Sequence, residues 1–374
     1  MKRRILFITG TRADFGKMKP LITKVEESAN FESSIFATGM HMLERYGYTY
    51  DEVRKSGFGN IFPYNNQINS TSSDMDIVLS NTIQGIGYYI RENRPDLIVI
   101  HGDRVETMAG GIVGALNNIL VAHIEGGEMS GTVDEIIRHS VSKLSHIHFV
   151  SNGDAKRRLI QMGEHENSIF IVGSPDIDVM MSDNLPNLAE VKNKYEIDFD
   201  DFYIFIYHPV TSELHNLEQN TEIVINALIA SYLNFVCIYP NNDKGSHLII
   251  ESFRRISNNE RFKVLASMRF EYFLSLLKYS KGIIGNSSAG IREAPVYGVP
   301  TINIGNRQNN RYYYKSIVNI KENEREILNS LKNLPNKVEP SQYFGKGNSA
   351  EMFIKYLSTP QVWEISIQKQ FKDL

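Results

Sequence analysis

The stretch that decides the fold is residues 97–108, LIVIHGDRVETM, in which an apolar run leads into a polar loop and then a helix-like segment. Leu97–His101 is short, continuous and rich in β-branched residues, which is typical of a strand buried on both faces of a sheet. Glu106–Asn117, immediately downstream, predicts a helix. A buried strand followed by a helix is the repeating unit of a parallel α/β sheet.

The same alternation continues on both sides of this stretch for most of the 374 residues. In the first half the predicted strands are Ile5–Thr9, Ser34–Ala37, Leu97–His101, Leu120–Ile124 and Ile147–Val150. In the second half they are Tyr203–Tyr207, Phe235–Tyr239, Lys263–Ala266, Gly282–Ile284 and Thr301–Ile304. Two such series predict an α/β protein with two Rossmann-like, doubly wound domains facing across a cleft.

The domain boundary is predicted within Gly173–Asp201, where Gly173-Ser174-Pro175, Pro186 and a polar stretch interrupt the pattern. Placed at the start of this region, it divides the chain into domains of residues 1–172 and 173–359. A last helix-like segment, Pro360–Phe371, has no strand after it. We therefore expect residues 360–374 to pack back on the first domain.

Composition excludes several classes of protein. Hydrophobic residues make up 42% of the chain and the net charge is -3, so no overall positive field attracts nucleic acid or an anionic membrane. The apolar run after the basic start ends at Thr9, too early for a signal peptide, and no segment reaches the length of a membrane span. With a single cysteine, Cys237, the chain cannot form an internal disulfide. We expect a cytoplasmic protein with no nucleic-acid or membrane partner.

Polar residues repeatedly follow the predicted strands. Ligands of open α/β sheets collect beyond the carboxyl ends of the strands, so these loops are the natural place for a site. The loops that share this character are residues 10–14, 101–104, 123–128, 208–211, 240–243 and 285–288. Together they predict a polar cleft between the two domains.

The Gly285–Gly290 loop is the best candidate for an anion site. Asn286, Ser287 and Ser288 are favourable N-cap residues for a helix over Ala289–Val296, and Gly290 allows a ligand to approach the backbone. A strand-to-helix turn of this kind directs free N–H groups at an anion. Taken alone, the loop is equally consistent with a capped helix that binds nothing. Two arginines that also follow strands can add positive charge to such a site, namely Arg12 and Arg307.

No cofactor or metal is expected. The chain lacks the glycine-lysine P-loop of ATPases, and its first strand-helix turn lacks the three-glycine pattern of nicotinamide-binding proteins. The pairs Asp74/Asp76 and Asp176/Asp178 have the spacing of a metal-nucleotide carboxylate pair, but the first is interpreted as helix capping and the second follows Pro175, so neither is taken as a metal site. The histidines do not form a zinc-binding triad with suitable spacing. Neutralisation of a bound phosphate is therefore expected from arginines and helix ends.

Titratable side chains cluster near the predicted strand ends, where partial desolvation can tune them for acid-base chemistry. These residues are Asp103, Glu125, Glu128, Asp134, His101, His123, His139 and His208. Asp134 and Arg138 have the i, i+4 spacing of an ion pair on a helix. His146 and His148 alternate in a strand-like run, and we expect them to line the surface of the first domain.

Five motifs in this order together resemble the hydrolysing UDP-N-acetylglucosamine 2-epimerases of sialic-acid pathways. They are HGDR at 101–104, HIEGGE at 123–128, IRHS at 137–140, HPVT at 208–211 and GNSSAGIRE at 285–293. The similarity extends from about Lys2 to beyond Arg311. It implies a glycosyltransferase-B architecture and conversion of UDP-N-acetylglucosamine and water to N-acetylmannosamine and UDP. A related non-hydrolysing branch interconverts the two UDP-sugars, and Arg104 with Gly126-Gly127-Glu128 looks like the hydrolysing branch.

The resemblance also implies residue roles. The residues around the diphosphate would be Ser287, Ser288, Gly290 and Arg307, with Arg12 and His208 beside them. Those around the nucleoside would be Glu293 for the ribose and Asn241 with Phe270 for the uracil. The acid-base carboxylates would be Asp103, Glu125 and Asp134, with Arg104, His123 and Arg138 around the sugar. A homodimer or homotetramer is implied as well, and the Tyr312-Tyr313-Tyr314 run hints weakly at an interface.

The chemistry of that reaction suits these residue types. H2 and the C1–O bond of the α-linked substrate are trans-diaxial, but H2 is barely acidic, so cleavage of C1–O must lead and the departing UDP must be stabilised. Four alternatives remain open. They are a glycosyltransferase, a hydrolysing epimerase for a UDP-2,4-diacetamido-trideoxyglucose of legionaminic-acid synthesis, a non-hydrolysing epimerase, and a nucleotide-sugar sensor. A sensor has no need of Asp103, Glu125 and Asp134 together, so their joint presence favours an enzyme.

Overall fold

The computed structural model describes residues 2–44, 47–67, 74–130, 133–241, 243–309, 311–370 and 372–373, with only the backbone described at 211 and 212. The chain divides into two compact units. Unit 1 contains the described residues of 1–129, 133–182 and 343–374. Unit 2 contains those of 130–132 and 183–342.

Unit 1 is built on a seven-stranded parallel sheet. Its strands are β1 (Arg3–Thr9), β2 (Phe31–Ala37), β3 (Ile61–Pro63), β4 (Leu97–His101), β5 (Leu120–Ile124), β6 (Ile147–Val150) and β7 (Ile169–Ile171). Its first helices are α1 (Arg12–Glu27), α2 (Tyr50–Arg54), α3 (Met75–Glu92), α4 (Val105–Leu116), α5 (Val133–Leu144), α6 (Gly153–Gln161) and α7 (Pro175–Met180). The strand order is β3-β2-β1-β4-β5-β6-β7. Successive strands are added on one side of β1 as far as β3 and on its other side from β4 onward, so the winding reverses between β1 and β4. Ligand sites of doubly wound sheets lie at such a reversal.

Both faces of this sheet are covered. Ile5 and Phe7 of β1 belong to the core beneath α1, whereas Leu6 and Ile8 belong to the core beneath α3 and α4. Because successive side chains of a strand point to opposite faces, a strand covered on both sides needs apolar residues at every position. This explains the unbroken apolar runs Ile5–Ile8 in β1, Leu97–Ile100 in β4 and Leu120–Ala122 in β5.

Unit 2 repeats the arrangement with a six-stranded parallel sheet. Its strands are β8 (Tyr203–Ile206), β9 (Phe235–Ile238), β10 (Phe262–Leu265), β11 (Ile283–Gly285), β12 (Thr301–Ile304) and β13 (Ile317–Ile320). Its helices are α8 (Leu188–Tyr195), α9 (Leu217–Ala230), α10 (Ser246–Phe253), α11 (Phe270–Tyr279), α12 (Glu293–Val296) and α13 (Glu324–Lys332). The strand order β10-β9-β8-β11-β12-β13 reverses between β8 and β11. Cys237 is fully buried in this core, and burial raises the pKa of its thiol.

Two parallel α/β domains were predicted, and both are present. The sequence analysis missed three strands, β3, β7 and β13, which have only three or four residues each. All three are outermost strands of their sheets and are partly exposed, so they carry little of the apolar signal on which a prediction depends.

The division lies within the predicted region 173–201, but its placement at 172/173 is wrong, because unit 1 continues to Ser182. Helix α7 packs against α1 and against α14 (Ser349–Leu357). The Asp178 carboxylate of α7 accepts hydrogen bonds from the Ser349 and Ala350 N–H groups at 2.8 and 2.7 Å, which caps α14. These contacts keep α7 in the first unit.

The C-terminal segment also differs from the expectation. All described residues from Tyr343 onward belong to unit 1, not only those of 360–374. The predicted helix Pro360–Phe371 ends at Trp363 as α15 (Pro360–Trp363), and Phe371 lies outside the described residues. The preceding helix α14 makes the main attachment, where Phe353 packs edge-on against Phe149 at 4.8 Å between ring centroids. Burial of such a side chain contributes roughly 2 kcal/mol.

Two general features complete the fold. None of the helices in the described part of the chain is long and apolar enough to cross a membrane. Within the same residues, no group of three or more His, Cys, Asp or Glu side chains is arranged to hold a metal ion.

Candidate functional site

A buried cluster of charged groups lies at the carboxyl edge of the unit 1 sheet. His101 ends β4, and its Nδ1 is 3.2 Å from Asp14 Oδ1 while its Nε2 is 3.2 Å from Glu125 Oε2. Burial disfavours a charged imidazole, but the two carboxylates outweigh it and raise the pKa of His101 to about 9. His101 is therefore an imidazolium at neutral pH.

Glu125 is held in place from several directions. It adopts a left-handed backbone conformation with φ of 63°, which is uncommon for a residue other than glycine and is frequent at functional sites. Its N–H donates to the Phe149 carbonyl at 3.0 Å, and its Oε1 accepts a hydrogen bond from the Ser174 hydroxyl. The side chain is only 4% exposed, so Glu125 is a buried, pre-oriented carboxylate.

Arg138 of α5 joins the two predicted catalytic loops. Its Nη2 pairs with the Asp103 carboxylate after β4, and its Nη1 donates to the Glu125 carbonyl at 2.7 Å. The Asp103 side chain is 21% exposed, compared with 7% for Arg138. Since the Glu125 side chain is only 4% exposed, Asp103 is the more accessible of the two carboxylates.

His123 supports this edge from below. Its Nε2 donates to the Gly102 carbonyl at 2.8 Å, and its Nδ1 accepts from the Ser142 hydroxyl at 3.1 Å. Burial lowers the pKa of His123 to about 3, so the ring is neutral. The resemblance implied a place beside the sugar, but His123 is fully buried with both nitrogens bonded inside the protein. Among the described residues, His123 supports the 102–103 loop through its hydrogen bond to the Gly102 carbonyl.

Three more predicted residues of unit 1 lie around these loops. Arg12, at the start of α1, pairs with Glu52 at 2.8 Å. Arg104, just before α4, has its Nε 3.5 Å from Glu106 Oε2. Asp134 lies half-buried in the first turn of α5, the helix that carries Arg138.

The sequence analysis gave no site role to Asp14 or Ser174, and it placed His101 in the titratable cluster without assigning it a role. Asp14 has a local signal, because its Oδ2 accepts from the Gly10 N–H at 2.9 Å across the first strand-helix turn. Ser174 has no such signal, since it reaches Glu125 from 49 residues away. The Gly173-Ser174-Pro175 stretch was interpreted as a domain boundary, whereas it contributes a hydroxyl to this cluster.

The expectation for His146 and His148 is wrong. Both rings are buried: His146 Nδ1 accepts from the Val121 N–H at 3.1 Å, and His148 Nε2 is 3.1 Å from the Glu164 carboxylate. Burial lowers the pKa of each histidine. A sheet covered on both faces leaves no exposed side for alternating residues, which is why the surface interpretation fails.

The corresponding edge of unit 2 is organised by Asn286. Its Oδ1 accepts from the His208 N–H at 2.6 Å, and its Nδ2 donates to the His208 carbonyl at 2.8 Å. Gly285 precedes it with φ of 126°, and a Cβ there would lie 1.9 Å from the Ile206 carbonyl oxygen. Only glycine permits this approach. The side-chain amide of Asn286, which follows β11, thus joins its loop to the loop after β8 by binding both the N–H and the carbonyl of His208.

The loop that follows differs from the predicted helix over Ala289–Val296. The Ser287 hydroxyl accepts from the Ala289 N–H at 3.3 Å, and Ser288–Gly290 forms a single 3₁₀ turn before the four-residue α12. Gly290 was expected to let a ligand approach the backbone, which stays a prediction. A Cβ there would lie 2.6 Å from Thr301 Cγ2, so close packing against β12 also requires glycine at this position. The free N–H groups that this loop offers to an anion therefore come from a short turn and not from the start of a long helix.

Cationic and neutral donors gather around this loop. Arg307 Nη1 donates to the Asn286 carbonyl at 3.3 Å, and Gln308 Nε2 donates to the same oxygen at 2.8 Å. His208 Nδ1 accepts from the Asn241 N–H at 3.1 Å. Burial, together with the nearby Arg307 charge, lowers the pKa of His208 well below its ordinary value. His208 is therefore a neutral imidazole whose Nε2 carries the proton.

Two predicted nucleoside contacts lie elsewhere on unit 2. Glu293 begins α12 and Phe270 begins α11, and both side chains are largely buried.

The two units present different chemical groups. Unit 1 presents carboxylates paired with an imidazolium and a guanidinium, a set suited to proton transfer. Unit 2 presents Arg307, serine hydroxyls and backbone N–H groups, a set suited to an anion.

Comparison with known proteins identifies the family. The family model described as UDP-N-acetylglucosamine 2-epimerase matches residues 23–358. The chain is 47% identical to a UDP-N-acetylglucosamine 2-epimerase of Neisseria meningitidis serogroup B, with 100% of this chain and 99% of that protein covered. It is 35% identical to a UDP-N,N'-diacetylbacillosamine 2-epimerase (hydrolyzing) of Legionella pneumophila, with 96% of each covered.

The fold is shared with solved structures of such enzymes. The UDP-GlcNAc 2-epimerase of Methanocaldococcus jannaschii, solved in complex with UDP-GlcNAc and UDP, superposes with a TM-score of 0.79 at 22% identity. The match covers 95% of this chain and 99% of that one. The prediction of two parallel α/β domains of the glycosyltransferase-B type is thereby confirmed. The chain is an enzyme of the UDP-N-acetylglucosamine 2-epimerase family.

Proposed function

We propose that this enzyme is a hydrolysing 2-epimerase of sialic-acid synthesis that acts in the cytoplasm without a cofactor. It converts UDP-N-acetylglucosamine and water to N-acetylmannosamine and UDP. The observation that carries this proposal is the arrangement of Asp103 on Arg138 and Glu125 on His101 at one sheet edge. Such a set of oriented, charged groups serves proton transfer and is of no use to a protein that only binds a nucleotide-sugar.

Unit 2 supplies the stabilisation of the leaving group. Ser287, Ser288 and Arg307 hold the diphosphate, with His208 donating from Nε2, and Arg12 is assigned as a further substrate-binding cation. The Asn286 amide fixes the backbone of both loops before substrate arrives, so little reorganisation is needed as negative charge grows on UDP. Glu293 binds the ribose, and Asn241 with Phe270 binds the uracil.

The first step is an anti elimination. A base removes H2, the C1–O electron pair leaves with UDP, and the C1=C2 double bond of 2-acetamidoglucal forms. Asp103 is assigned as this base, because it is the more exposed carboxylate, whereas both oxygens of Glu125 face groups of the protein. Arg104 and Arg138 lie around the sugar, and His123 acts through the 102–103 loop.

The second step adds water across the double bond. Hydroxide from water bonds to C1, and a proton bonds to C2 from the face opposite to the one that lost H2. This order of events gives N-acetylmannosamine and accounts for every atom of substrate and water. Two acid-base groups are assigned to this step. One is Glu125, which has the His101 imidazolium beside it, and the other is Asp134.

The variants Asp103→Asn and Glu125→Gln test these assignments. Each removes one charge while keeping the side-chain shape, so we expect turnover of UDP-N-acetylglucosamine to fall at least about 100-fold. The affinity for UDP, measured by calorimetry, should stay within a factor of two. Glu166→Gln is the matched control, because Glu166 is exposed on unit 1 and pairs with Lys156. Turnover at the wild-type rate in either test variant removes that carboxylate from the mechanism.

A second candidate function is the same chemistry on UDP-2,4-diacetamido-2,4,6-trideoxyglucose. The 35% identity to the Legionella pneumophila enzyme supports this candidate, and the 47% identity to the Neisseria meningitidis enzyme supports UDP-N-acetylglucosamine. Parallel assays with the two substrates separate the candidates. A kcat/KM at least tenfold higher for the diacetamido sugar establishes the second one.

We further propose that the enzyme works as a homodimer or homotetramer. Support comes from large apolar side chains that protrude from the helices on one face of unit 1, with Tyr88, Leu116 and Ile136 exposed by 64%, 78% and 68%. Tyr313 of the tyrosine run is also exposed, whereas Tyr312 and Tyr314 stack on each other. A monomer mass in analytical ultracentrifugation at micromolar concentration would contradict this proposal.

A further inference from the structure

The segment that follows helix α15, residues 364–370, is tied to the end of helix α5. The Lys369 ammonium donates to the carbonyl oxygens of Ser142, Lys143 and Ser145 at 3.3, 2.9 and 2.6 Å. The His146 Nε2 proton is donated to the Ile367 carbonyl at 3.1 Å. The last carbonyls of a helix lack partners within the helix, so a lysine placed there satisfies them and complements the helix dipole.

A buried carboxylate completes this attachment. Glu164, only 2% exposed, has its Oε2 2.7 Å from the Lys369 ammonium and its Oε1 2.7 Å from the Lys143 ammonium. His148 is 3.1 Å from the same carboxylate. These partners overcome the effect of burial and lower the pKa of Glu164 to about 2. Lys369 therefore joins three elements of unit 1: the C-terminal segment, the end of α5 and the turn after α6.

Upstream of its last turn, α5 is part of the proposed site. Ser142 bonds His123, which supports the Gly102 carbonyl. Arg138, one turn earlier and about 6 Å along the axis, holds Asp103 and the Glu125 carbonyl. Lys369 therefore binds one turn of α5, and Arg138, which orients the catalytic loops, lies on the turn before it.

We propose that Lys369 is a positioning residue: it clamps the last turn of α5 and thereby holds the Arg138 guanidinium against Asp103 and Glu125. The clamp acts from the C-terminal segment, far from the site motifs in sequence. The effect of the clamp on turnover rests on the proposed function, whereas its effect on the position of α5 does not. Displacement of catalytic groups by about 1 Å can cost on the order of 100-fold in rate, so a loosened α5 lowers turnover without touching UDP.

The test compares Lys369→Met with Lys369→Arg and with the control Lys372→Met. Met keeps the aliphatic stem but loses the donors, Arg keeps a cationic donor, and the control makes the same charge change three residues further on. For each protein, kcat is expressed per UDP-binding site counted by calorimetry, and the fluorescence of Trp363 checks that unit 1 is folded. Hydrogen-deuterium exchange is followed in the peptide that covers α5.

Lys369→Met should lower kcat per site about tenfold or more, keep the Kd for UDP within a factor of two, and speed exchange in α5. Lys369→Arg should recover most of kcat, and Lys372→Met should match the wild type. If Lys369→Met does not accumulate as folded protein, the same outcomes are expected of Lys369→Gln. Unchanged kcat per site, unchanged α5 exchange or an equal loss in Lys372→Met overturns the proposal.

The exchange measurement needs no substrate. If the wild type does not turn over UDP-N-acetylglucosamine, the proposed function fails. The comparison of α5 exchange between Lys369→Met and Lys372→Met still decides whether the clamp exists.

Discussion

The charge on His101 predicts an alkaline limit to the stability of unit 1. Its pKa is about 9 in the folded protein and about 6.5 in an unfolded chain. Because the folded pKa is the higher one, the stabilisation is fully present below about pH 6.5 and is lost as pH rises through about 9. At about 1.4 kcal/mol for each pKa unit, the full effect on the free energy of unfolding is roughly 3 kcal/mol.

The change that isolates this contribution is His101→Gln. Trp363 is the single tryptophan of the chain and lies in unit 1, stacked on Phe31, so its fluorescence during urea unfolding reports that unit. Near pH 6.5 the variant should be less stable than the wild type by about 3 kcal/mol. Above about pH 10 the two curves should converge, because the wild-type imidazole has then lost its proton.

The control is His165→Gln, which removes an exposed histidine of unit 1 and should follow the wild type at every pH. Lysine, tyrosine and cysteine groups that titrate in alkali are common to all three proteins and cancel in the comparison. A constant gap between His101→Gln and the wild type from pH 6.5 to 10 would refute the imidazolium. Such a gap would mean that His101 contributes only packing.

Three further predictions concern other parts of the chain. Gly285→Ala places a Cβ 1.9 Å from the Ile206 carbonyl oxygen and should destabilise unit 2 by at least about 3 kcal/mol in urea unfolding, whereas Gly153→Ala meets nothing within 4 Å and should be nearly neutral. Arg307→Ala should weaken UDP binding at least about tenfold by calorimetry, and an unchanged Kd would place the diphosphate elsewhere. His123, with its pKa near 3, contributes stability that is lost as pH falls below about 6.5, so His123→Gln should flatten the loss between pH 6.5 and 4.

The sequence predicted the central strands well because they are buried on both faces. β4 and β5 have the predicted bounds, since a continuous apolar run ends where the polar loop of the site begins. Edge strand β3 was missed because half of its environment is solvent. The carboxyl-edge rule also brought Asp103 and Glu125 to the same sheet edge, where Arg138 contacts both residues.

Contacts between distant parts of the chain were beyond sequence reasoning. The bond from Ser174 to Glu125 and the clamp of Lys369 on α5 carry no periodicity and no spacing rule. Gly290 shows the same limit, because glycine next to a predicted helix start suggested ligand approach, whereas the close packing on Thr301 that also requires glycine had no sequence signal. A single sequence does not display such packing.

The most direct test of the account is proton NMR of the enzyme with UDP-N-acetylglucosamine in D₂O. Elimination followed by hydration predicts free UDP and N-acetylmannosamine with deuterium at C2, because the new C2 proton comes from solvent. Recovery of UDP-N-acetylmannosamine would contradict the hydrolysing assignment, and N-acetylmannosamine with its original C2 proton would contradict the elimination.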